Sequence, residues 1–175
     1  MTVQQALLMS FLYLVAFVAA IYFTGANKRR VGGSLVGGAV ASLAGIGLIY
    51  LCESFDLFSV PAASDPVLLP LLFVGLAISL APVYLITWRI ERRFGWQGLA
   101  VAIGIVAVIG PPRDYMYAAT FPEWMVFAQG VAPIVADSAA YVVILLVGHA
   151  VMRLVSGPAR EDRIKGRKKF NERSF

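Results

Sequence analysis

Two parts of this 175-residue sequence carry side chains able to do chemistry in unusual surroundings. The first is Asp137, about one and a half turns into the apolar run 131–154. A carboxylate there costs about 2.5–3.5 kcal/mol on insertion scales, and such a group faces a bundle interior or a wet cavity. On a helix its face continues through Tyr141 and Ile144 to Gly148, so the Tyr141 hydroxyl can approach the Asp137 carboxylate. The second part is the segment 111–130, PPRDYMYAATFPEWMVFAQG. Its length marks it as functional or disordered, and its aromatic, apolar content excludes disorder. It holds Arg113, Asp114, Tyr115, Tyr117, Glu123 and Trp124. Arg113 can pair with Asp137 or with its neighbour Asp114. Such a pair either locks the loop in place or helps build a pocket. Arg113, Asp114, Tyr115, Tyr117, Glu123, Trp124, Asp137 and Tyr141 are therefore the candidate ligand-binding residues, for a small solute or a lipid headgroup.

Other chemistries find little support. His149 follows Asp137 by 12 residues, which is roughly 18 Å along a helix and about 120° around it, so the two cannot form an acid–base pair. His149 shares a face with Arg153 and reads as an interfacial histidine. Cys52 has no second cysteine and reads as a structural thiol. The sequence has no phosphate-binding Gly-rich loop of Walker form, no G-x-S-x-G and no H-E-x-x-H. With one Cys and one His, bis-His haem, zinc knuckles and Cys-ligated clusters are excluded from this chain alone. No catalytic residue, metal or cofactor is expected.

The elements that must position these groups are membrane helices. Apolar residues make up 59% of the chain and charged ones 14%, with a mean hydropathy of +0.78. A soluble domain carries about 25% charged residues. Five runs are long enough to cross a hydrocarbon core of roughly 30 Å: 6–24, 33–51, 67–88, 96–110 and 131–154. Pro82 kinks the third, and Pro111-Pro112 cuts the fourth short. In the fourth loop, Thr120-Phe-Pro-Glu123 has capping-box spacing, which predicts a short interfacial helix to about Gln129. The expected fold is an all-α integral membrane protein: a five-helix transmembrane domain over residues 1–155, with a basic tail at 156–175.

Fourteen of the fifteen Lys and Arg residues lie in the first loop, the third loop or the tail; Arg113 is the exception. The positive-inside rule then puts the N-terminus outside and the C-terminus in the cytoplasm of a cell membrane. Met1–Gln5 carries no positive charge, so the first span does not read as a signal peptide. The tail is expected to rest on anionic lipid headgroups; it has too few aromatic residues to read nucleic acid. Gly33, Gly37, Ala41 and Gly45 form a small-residue stripe on the second span. That stripe suits a close helix contact, either within the chain or with a second copy or partner subunit. The leading functional expectation is binding or movement of a small molecule through a cavity beside the fourth loop and fifth span. The alternatives are a structural or assembly subunit and, third, a membrane enzyme acting on a lipid or isoprenoid through Asp137 or His149.

Overall fold

The computed structural model describes residues 3–158 and is mostly helical. In chain order the elements are α1 (Val3–Thr24), α2 (Lys28–Ser54), β1 (Phe58–Ser59), α3 (Pro61–Ser64), α4 (Leu68–Thr120), β2 (Val126–Phe127) and α5 (Ala132–Ser156). Four of the helices, α1, α2, α4 and α5, are long and apolar enough to cross a membrane. Their outer faces expose large aliphatic and aromatic side chains such as Leu8, Phe11, Leu43, Val101, Val108 and Leu154. Water tolerates no apolar surface this extensive on a monomer, whereas lipid does.

α4 has 53 residues and is not one rod. An unbroken helix of that length would span about 80 Å. Yet β1 and β2, which flank it, pair antiparallel, Phe58 opposite Phe127 and Ser59 opposite Val126. The connectors 60–67 and 121–125 bridge about 50 Å at full stretch, too little for an 80 Å rod. The chain therefore doubles back, and it does so at Gly95, where φ is 72° and ψ is −162°. That region of backbone space is open to glycine and closed to side chains. Arg89, Arg92 and Arg93 occupy the last turns before the break, where cations complement the carbonyl end of a helix. The two arms of α4, residues 68–94 and 96–120, overlap the apolar runs 67–88 and 96–110 and extend beyond each.

Two expectations about helix ends are corrected. Lys28, Arg29 and Arg30 belong to the first turn of α2 rather than to a loop, because Asn27 caps the helix by accepting the Arg30 amide at 2.8 Å. Pro111-Pro112 does not end its helix, which runs on to Thr120. Gly110 has no Cβ to clash with the Pro111 ring, so the penalty on the residue before proline is eased for the first proline of the pair. The short interfacial helix expected over 120–129 is absent. Thr120 closes α4, its hydroxyl donating back to the Met116 carbonyl at 2.8 Å instead of capping a new helix. The chain then makes a turn closed by the Trp124 amide on Phe121 O and enters β2. α5 continues through Ser156, whose buried hydroxyl donates to Arg29 O at 3.0 Å. The rest of the expected basic tail, 159–175, lies outside the described residues.

The core forms around α2, which packs against α4 and α5. Ala41, Tyr84, Trp88, Ile103, Leu145 and Met152 make the larger buried cluster; Phe17 and Ala20 of α1 meet Ala81 and Leu85 in a second. Within the chain, Gly33 abuts Met152 and Ser156, Gly37 abuts the Gly148 carbonyl, and Gly45 faces Ile144, while Ala41 is fully buried. The glycines thus let the α2 backbone approach α5 closely. On the neighbouring face, Gly38 lies on the Ala77 carbonyl and Ser42 donates to Phe73 O at 2.9 Å, fixing α2 on the first arm of α4.

Candidate functional site

Polar groups collect at the two ends of the bundle. At the end that carries the β1–β2 ribbon, here the sheet end, the second arm of α4 meets α5. Arg113 donates through Nε and Nη2 to Asp114 Oδ1 at 2.8 and 2.7 Å. The Tyr141 hydroxyl donates to Asp114 Oδ2 at 2.5 Å and accepts from Arg113 Nη2. The guanidinium also lies over the Tyr141 ring, 5.7 Å from its centroid. The fold brings these groups together because Gly110 offers no side chain where the Tyr141 ring sits. Of the two pairs open to Arg113, the salt bridge forms with Asp114.

Asp137 lies one turn before Tyr141 on α5 and is 5% exposed. Its Oδ2 is buried and has no hydrogen-bond partner among the described residues. Asp114 and Arg113 are both within electrostatic reach of it. The Arg113–Asp114–Tyr141 triangle therefore satisfies itself and leaves one carboxylate oxygen beside it unsatisfied. A buried, unpaired acceptor of this kind costs free energy until it gains a donor or a proton.

The remaining candidates serve an aromatic layer. Tyr115 stacks on Phe127 with centroids 4.1 Å apart, tying α4 to β2, while Phe121 sits between Tyr117 and Trp124. Tyr115 Oη and Trp124 Nε1 are buried without hydrogen-bond partners among the described residues, and Glu123 is exposed on the turn. An open recess of about 310 Å³ lies beside the ribbon, lined by Glu53, Asp56, Phe58, Ser59, Val126, Phe127 and Ala128. None of the eight candidate ligand residues lines it.

The opposite end, here the basic end, holds a second network that the spacing of single residues did not reveal. His149 is 3% exposed, its ring buried between helices rather than on the bundle's surface. Its Nε2 lies 2.8 Å from Glu91 Oε2 and its Nδ1 lies 3.0 Å from Thr87 Oγ1. Arg153 reaches the other Glu91 oxygen at 2.9 Å. Arg30, fully buried, lies over the Trp88 ring at 5.4 Å and donates to Pro158 O at 2.6 Å. A signal for this network was present. Thr87 and Glu91 stand four apart on one helix, as do His149 and Arg153 on another, and Glu91 is the one acid among Arg89, Arg92 and Arg93. Two polar i,i+4 pairs on apolar helices call for each other.

Compared with protein-family models, with curated proteins and with solved structures, the chain matches none. Its function must be argued from its own side chains.

Proposed function

We propose that the chain is a multi-pass protein of the cell membrane with five crossings, its N-terminus outside and its basic end in the cytoplasm, and that it binds a small solute at the sheet end. The reversal at Gly95 supports five crossings, since each arm of α4 is long enough to span alone. Lys28, Arg29, Arg30, Arg89, Arg92, Arg93 and Arg153 gather at one end, which supports the orientation.

The observation that carries the binding reading is the unsatisfied Oδ2 of Asp137, buried beside a triangle that already holds Arg113, Asp114 and Tyr141. A solute that donates to this oxygen, an ammonium or hydroxyl compound, offsets the cost of burying it. Small amines, amino acids and polyols should then raise the melting temperature of the detergent-purified protein. Asp137→Asn should lose that response while still inserting and purifying as a monodisperse species. If no compound of these classes stabilises the wild type, or if stabilisation survives Asp137→Asn, the reading fails.

The self-satisfied triangle favours a second reading, in which these charges only lock α4 to α5 in a structural or assembly subunit. Arg113→Gln distinguishes the two. A pure lock predicts lower stability whether or not solute is present, whereas a binding site predicts an additional loss of the solute-induced shift.

A further inference from the structure

We propose that Arg89 and Arg92 form a built site for the phosphate of an anionic lipid headgroup at the basic end, separate from the 159–175 tail. Both arginines are half-buried, and each has an Nη1 sealed from solvent with no hydrogen-bond partner among the described residues. A guanidinium stays charged in any surroundings, so it cannot relieve this by losing a proton. The side chains stand three apart on one helix, a spacing that lets two guanidinium forks reach one oxyanion.

Among the described residues, the one acid at this end does not serve them. Glu91 points about 160° around the axis from Arg89, and its two oxygens already hold His149 and Arg153. Among the described residues, the seven basic residues of this end thus share one carboxylate, and its two oxygens are already engaged.

The surroundings favour a lipid over a free anion. Tyr22, Phe23, Phe94 and Trp96 are strongly exposed at the same end, as in the aromatic belts that lie at headgroup depth. Arg93 stacks over Phe94 at 5.1 Å, inside that belt. An acyl chain can follow the apolar helices while its phosphate reaches the arginines.

The test uses the full chain purified in neutral detergent, with native mass spectrometry and microscale titration reading retention of phosphatidylglycerol against phosphatidylcholine. The wild type should retain phosphatidylglycerol preferentially. Arg89→Gln with Arg92→Gln should bind it about thirtyfold more weakly. The double lysine variant should fall between, because it keeps charge and loses the fork. Arg93→Gln should change little, and deletion of 159–175 should leave retention intact. Equal retention by the double glutamine variant overturns the proposal. So does an equal loss in Arg93→Gln, which means diffuse attraction, or a loss on tail deletion, which assigns the lipid to the tail. Inorganic phosphate or pyrophosphate competing at micromolar concentration would overturn the lipid as the source. Should the glutamine variant fail to purify, the lysine variant and the tail deletion still decide the matter.

Discussion

Glu91 holds the basic end together through two partners on α5, and its removal should cost more than any other single change there. His149 and Arg153 would both lose their carboxylate, the first of them almost fully buried. Glu91→Ala is expected to destabilise by about 3 kcal/mol, the usual consequence of breaking one side of a buried pair. Thr87→Val removes only a hydroxyl bonded to a ring nitrogen and a local carbonyl, and should cost about 1 kcal/mol. Thermal unfolding in detergent, followed by tryptophan fluorescence, would rank the two; a Thr87 effect as large as that of Glu91 would contradict the network. At this scale the sequence was partly legible. Asp137, Tyr141, Arg113 and Asp114 were singled out because charge in an apolar run is costly wherever it lies, and the fold puts all four in one region. Glu91 escaped notice because three arginines around it made it look like part of a solvated loop. Only the pairing across two helices, which no single segment encodes, reveals its burial.

Glycines decide how the elements meet, and not all of them matter alike. A methyl group on Gly37 would fall on the backbone carbonyl of Gly148, which cannot rotate away, so α2 and α5 would have to part. Gly37→Ala should lose about 2 kcal/mol, in the range for overpacked sites. Gly47 on the same helix has nothing near it, and Gly47→Ala should gain about 0.5 kcal/mol from helix propensity. Chemical unfolding in mixed micelles would read both; a Gly37→Ala variant as stable as Gly47→Ala would mean that the stripe does not pack as described. Gly95→Ala should cost about 1–3 kcal/mol through backbone strain alone. The periodicity of small residues predicted a close contact on α2, but which helix filled it depended on tertiary arrangement. The helix ends were the least legible feature. Pro111-Pro112 looked like a stop and Thr120 looked like a start; both readings rest on local preference, and in the fold the helix runs on to Thr120, whose hydroxyl turns back to Met116 O.

For the molecule as a whole, apolar composition and run length were enough to expect a helical membrane protein, because a backbone in lipid must satisfy itself. Its threading is open to direct test. With Cys52 replaced by Ala, a single cysteine at Gln97 marks the reversal and one at Ala128 marks the ribbon; both positions are exposed. In intact cells a membrane-impermeant maleimide should label Ala128→Cys and spare Gln97→Cys until the membrane is opened. Labelling of both from outside would refute five crossings with this orientation.

The one-residue turn at Gly95 also bears on how the chain is made. On the proposed reading of five crossings, arms joined without a connector would enter the bilayer as a pair, with no soluble pause between them. A nascent chain halted soon after Gly95 would then hold its arginine cluster without the returning arm.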